Sequence, residues 1–165
     1  MCLLWLGSAC GSSTPETPVA VDDGGTFRHP AGVTIAVPPG WRVSSTADTL
    51  SLLSPNQAVL MMFFVVEADE LDVALRAMDG TIARYLDDPQ IRNRRQTELN
   101  GMSAIVADGV GKMDGENVNV GIALALTPIG KVLIVLGLAR DSAPPERQRE
   151  VQRIIRSIAP SVGAS

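Results

Sequence analysis

LNGMSAIVADGVGKMDGENVNVGIALALTPIGKVLIVLGLA, residues 99–139, decides the fold. Asn100-Gly101 and Asp114-Gly115 are the residue pairs that accept positive φ at both centres of a type I′ hairpin turn. Pro128-Ile129-Gly130 makes a third short connection. Loops this short join only antiparallel neighbours, so the sequence predicts a four-strand meander over 91–99, 102–112, 116–127 and 131–139. Residues 132–136 are apolar without alternation, which requires cover on both faces of the sheet. In the third strand Gly121, Ala123 and Ala125 alternate with Ile122, Leu124 and Leu126. One face of that strand is therefore small, and a helix or a ligand can approach it closely.

Working outward, the meander is flanked by two helical patterns. Leu71, Leu75, Met78, Ile82 and Tyr85/Leu86 form one apolar stripe, with Asp69 as N-cap and Asp87-Asp88-Pro89 as the stop. Over 144–159, Val151, Ile154, Ile155 and Ile158 form a second stripe, and Pro144-Pro145 is tolerated in its first turn. Glu146 with Arg149, and Glu150 with Arg153, read as i,i+3 pairs on its solvated face. Ahead of the first helix, Val33, Ile35 and Val37 alternate as in a half-buried strand, and Pro38-Pro39-Gly40 turns the chain to deliver Trp41 as a core plug. Further strands are expected at 49–53 and 57–67. The order is β-rich, helix, meander, helix: an α+β protein whose antiparallel sheet is flanked by two main helices. If both helices share one face, the other must meet a partner or a second copy, as in a homodimer.

Composition limits the chemistry. The chain has 165 residues, 45% hydrophobic and 19% charged, enough for one domain with a genuine core. Of its formal charge of −4, Glu16, Asp22 and Asp23 near the N-terminus carry most, leaving fifteen acidic against fourteen basic residues elsewhere. Such a body offers no broad attraction to nucleic acid. Cys2 and Cys10 both precede the body and His29 is the sole histidine, so neither a disulfide framework nor a multi-histidine metal site is expected. No cofactor is expected either. His29 with a carboxylate could serve as a general base, but a histidine just before Pro30 reads better as a satisfied structural residue. GVGK at 109–112 has the wrong spacing for a phosphate loop, and Asp108, Asp114 and Glu116 lack that of a calcium loop. An enzyme is not expected; a small hydrolase is the reading that the residues support least.

Two stretches are candidates for binding. Met61 and Phe63 belong to AVLMMFFVV, 58–66, which reads either as a buried strand or as an adaptable apolar surface. RNRR, 92–95, is the densest basic run; regular strand alternation would put Arg92 and Arg94 on one face and Arg95 on the other. An acidic partner could use Arg92 and Arg94, although an edge protected against strand addition is the plainer reading.

LGSACGSSTPETP, 6–18, resembles the cleavage and acylation site of bacterial lipoproteins, with Ser8 and Ala9 ahead of Cys10 and Gly7 where leucine is usual. The resemblance implies that Cys10 carries lipid. Residues 1–9 read as a truncated signal-peptide segment whose true start lies upstream of Met1, because CLLWL lacks a basic n-region. Residues 10–25 follow as a flexible tether, 26–159 as the globular domain and 160–165 as a frayed tail. The protein is then expected in the bacterial cell envelope, membrane-anchored and facing the periplasm or exterior.

GVTIAVPPGW (32–41), ADELDVAL (68–75), LNGMSAIVADG (99–109) and VQRIIRSI (151–158) give the chain a resemblance to the PsbP-like superfamily. That superfamily includes an extrinsic photosystem II subunit, the Ran-binding Mog proteins and many bacterial lipoproteins. The resemblance implies an α/β/α sandwich that works by binding a protein or an envelope component. One bacterial branch contains adaptor chaperones that shelter apolar helices of secreted effectors, which is the alternative function.

Overall fold

The computed structural model describes residues 19–21, 23–67 and 71–161. Cys10, the segment 1–9, most of the 10–25 tether, the Asp69 cap and residues 162–165 lie outside the described residues.

Eight strands form one antiparallel sheet: β1 (Val19–Val21), β4 (Trp41–Ser45), β5 (Thr49–Leu53), β6 (Val59–Val66), β7 (Asp87–Leu99), β8 (Met102–Met113), β9 (Glu116–Leu126) and β10 (Val132–Arg140). Their spatial order is β1-β4-β5-β6-β10-β9-β8-β7. The meander is present as read, with Asn100 and Gly101 at φ 50° and 83° and Asp114 and Gly115 at φ 54° and 79°. Those are the positive values that type I′ turns require. A second sheet, unseen in the sequence, has the order β11-β3-β2 from β2 (Gly25–His29), β3 (Val33–Val37) and β11 (Ala159–Pro160). Two boundaries move in consequence. Val19–Val21 is a strand paired with β4 rather than tether, and Pro160 pairs with Val33 rather than fraying.

Each face of the large sheet is covered by a different layer. Helix α1 (Leu71–Ile82) packs its Ala74, Met78 and Ile82 against Ile122, Leu124, Ile134 and Leu136. Helix α2 (Pro145–Ser157) and the second sheet cover the other face, with Ile154, Ile158, Ile35 and Trp41 against Phe63, Leu133 and Val135. Burying a side chain of this size contributes about 1.5–3 kcal/mol, so the two layers hold the sheet from both sides. The sandwich expected from the sequence is therefore α/β/α, with a small sheet sharing one outer layer with its helix.

Met61 and Phe63 are corrected as surface residues: both are 0% exposed. β6 is a central strand between β5 and β10, so its odd residues turn under the second sheet and α2 and its even ones toward α1. An apolar run without alternation was core on both sides. Among the described residues, the large apolar side chains that stand exposed are instead Val73, Tyr85, Val110 and Ile129. Among the described residues no helix is long and apolar enough to cross a membrane.

Candidate functional site

α2 does not extend across the whole of its face. Beside it, where β10 passes to β9 and β8, lies a cleft of about 490 Å³. Its floor is Gly121, Gly137, Ala123 and Ala139, laid over the buried Met61 and Val135, and its helix wall is Val151 and Ile155. The small face seen in β9 is this floor. Gly121 and Gly137 are direct partners in the β9–β10 ladder. A Cβ at Gly121 would meet nothing within 4 Å, and one at Gly137 only the Gly121 carbonyl oxygen, at 3.7 Å. Neither has a positive φ among the described residues. Packing and backbone thus leave room for a side chain at both, yet both are bare.

Polar groups stand around this apolar floor: Arg95, Asn119, Asp141, Gln148 and Gln152. Asn119 Nδ2 donates to Asp141 Oδ1 at 3.0 Å, and Arg140 Nη1 donates to Glu116. Arg140 pairs with Val118 in the ladder, so its guanidinium, with Nε buried and without a partner among the described residues, lies on the α1 face and outside this cleft. A mostly apolar concavity with a few convergent polar groups is the usual form of a small-ligand site.

Arg95 reaches the cleft through an irregularity that the sequence did not reveal. The pairing Arg92↔Asp108 gives way to Arg95↔Val106, so three residues of β7 oppose two of β8. Asn93, at φ 51°, absorbs the extra residue and its Nδ2 donates to Asp108 Oδ2 at 2.9 Å. Directly paired residues share a face, and the bulge changes the parity. Arg92 and Arg95 therefore share the face of α2, which corrects the expectation that Arg95 points away from Arg92. Arg92 Nη2 donates to Gln90 Oε1 at 2.7 Å and Arg94 is exposed on the edge strand. A second register shift, at Asp87/Gln90, and Pro89 further disrupt this edge.

His29 is 5% exposed and is occupied structurally: its Nε2 donates to the Phe63 carbonyl and its Nδ1 accepts from Ala31 N–H. Among the described residues, no group of three or more His, Cys, Asp or Glu side chains could hold a metal ion. The functional feature missed in the sequence is the rim. Arg95 comes from β7 and Gln148 and Gln152 from α2, with three strands between them in the chain, and only the small stripe in β9 hinted at the place.

No protein-family model matches the sequence, and none of the curated proteins matches it. Solved structures do. The cyanobacterial PsbP of Synechocystis aligns with a TM-score of 0.59 at 13% identity, covering 93% of this chain and 98% of that one. The Ran-binding protein Mog1p of Saccharomyces cerevisiae aligns with a TM-score of 0.53 at 13% identity, covering 84% and 95%. A protein of Bacteroides thetaiotaomicron aligns with a TM-score of 0.60 at 9% identity over 84% of this chain; the chain spans about half of that protein, 48%. The fold is thus of the PsbP/Mog type.

Proposed function

We propose that this chain is a lipid-anchored, non-enzymatic accessory protein of the bacterial cell envelope, and that it binds its ligand in the cleft beside α2. The cleft carries the reading: two paired glycines leave its floor bare where neither backbone nor packing demands glycine. Anchoring rests on the acylation-like motif around Cys10. An accessory role also fits a fold found in a Ran-binding protein and in PsbP.

The size of the cleft weighs against the adaptor reading. One turn of helix, about 10 Å across and 5.4 Å long, occupies about 420 Å³. The cleft of about 490 Å³ thus takes little more than a single turn. A small or narrow ligand suits it better than a protein helix.

Two measurements on protein isolated from the membrane fraction of its native host test this function. Mass spectrometry should find a diacylglyceryl group on Cys10; an unmodified product would sink the anchoring half. Native mass spectrometry should find a co-isolated molecule that is lost in Gly121→Leu. Absence of any such molecule, together with turnover of a substrate that disappears in His29→Gln, would replace binding by catalysis.

A further inference from the structure

Resting on the cleft as the binding site, we infer that its ligand is a single-chain amphiphile with an anionic head group. The apolar chain lies on the floor formed by Ala123, Ala139 and the two bare glycines, against Val151 and Ile155. The head group sits at the rim, held by Arg95 with Gln148 and Gln152 of α2 beside it.

Charge at the rim selects the sign of the head. The bulge at Asn93 turns Arg95 onto the cleft side, where it lines the wall with Leu99 and Val106. It has no ion pair among the described residues, and its stem beside apolar neighbours leaves the guanidinium as the free end. Arg140, paired with Val118 and bonded to Glu116, turns its guanidinium to the α1 face and takes no part. Asp141 is the one carboxylate among the lining residues, and it already accepts from Asn119. Gln148 and Gln152 add neutral donors from α2. A carboxylate or a phosphate fits these donors, because planar guanidinium groups pair with both. A purely apolar ligand would leave them unmet, and a small inorganic anion would leave the floor empty.

Titration of the purified full chain with dansylated undecanoic acid, and with its methyl ester, tests the assignment. The acid is expected to bind in the micromolar range, with Arg95→Gln weakening it at least about tenfold, a change of about 1.4 kcal/mol, and leaving the ester unchanged. Gly121→Leu should abolish binding by filling the floor while Gly121→Ala retains it. Gln152→Trp, on the exposed side of α2, blocks the mouth independently should the leucine variant fail to fold. Displacement of the probe by palmitate identifies a carboxylate head, and displacement by a lysophosphatidylglycerol a phosphate one. Equal affinity for acid and ester, or displacement by neither lipid, overturns the proposal. A co-isolated, Gly121-dependent molecule in a protein that ignores the acid would overturn the ligand class alone and leave the cleft as a binding site.

Discussion

His29 donates from Nε2 to the carbonyl oxygen of Phe63 across 3.1 Å, joining β2 of the small sheet to β6 of the large one. Its Nδ1 accepts from Ala31 N–H at 3.3 Å, so the ring is held neutral with its proton on Nε2. Burial lowers its pKa from the ordinary 6.5, outweighing the Phe63 carbonyl and the charge of Asp48, which raise it.

Stability should therefore depend on pH through this residue. Below about 6.5 the unfolded chain takes up a proton that the folded chain resists, so unfolding is favoured as the solution is acidified. The contribution is fully present above 6.5 and is lost as pH falls through the folded value. Urea unfolding at pH 7.5 and pH 5 should show a drop that His29→Gln reduces. An identical drop in that variant would rule out the histidine as its source.

Glu150 is the second internal anchor. Trp41, 0% exposed, donates from Nε1 to Glu150 Oε2 at 2.9 Å, and Arg147 pairs with the same carboxylate. Glu150→Ala leaves two partly buried donors unmet and should cost about 1–3 kcal/mol for each group that water cannot reach. Arg153 approaches the other oxygen only at 3.9 Å and its side chain is 69% exposed. Arg153→Ala should change stability by less than about 1 kcal/mol. Chemical unfolding of both variants checks the contrast; equal losses would contradict it.

Asn100 serves two elements at once. It occupies the first positive-φ position of the β7–β8 turn, and its Nδ2 donates to carbonyls at the end of α2: Ile158, Arg156 at 3.2 Å and Ile155 at 3.4 Å. Asn100→Gly keeps the turn and should lose about 1 kcal/mol with the hydrogen bonds. Asn100→Asp also tolerates the turn but sets a negative charge against the negative end of the helix dipole. It should be the less stable of the two in thermal melts. The reverse order would show that the turn alone matters.

Glycines of the meander should answer oppositely to alanine. A Cβ at Gly109 would stand 2.3 Å from the Gln90 carbonyl oxygen, where β7 crowds β8 between its register shifts. Gly109→Ala must push backbone aside and should cost about 1–3 kcal/mol. Gly121→Ala meets open space and should be neutral or stabilising by about 0.4–1 kcal/mol through the unfolded chain. Similar losses at both positions would mean that the floor of the cleft is not open.

What the sequence determined by itself is local. Asn-Gly and Asp-Gly set the turns, turn length set antiparallel pairing, and apolar period set both helices, although α1 ends at Ile82, which leaves Tyr85 exposed and Asp87-Asp88-Pro89 inside β7. It also marked β6 and β10 as strands needing cover on both sides, and the small stripe of β9. Each rests on interactions between residues near one another in the chain, so the pattern survives without tertiary knowledge.

Only the tertiary structure decided which layer covers which face, and hence what Glu150, Asn100 and Arg95 do. Glu150 has the spacing of a solvated i,i+3 pair, yet Trp41, 109 residues away, turns it inward. Arg95 changes face because β8 is crowded against a bulge, and strand parity cannot be counted through an extra residue. The cleft exists because α2 stops short of β8 and β9, leaving glycines and an unpaired guanidinium under one opening. Its members meet through packing of distant segments, which no periodicity in one segment encodes.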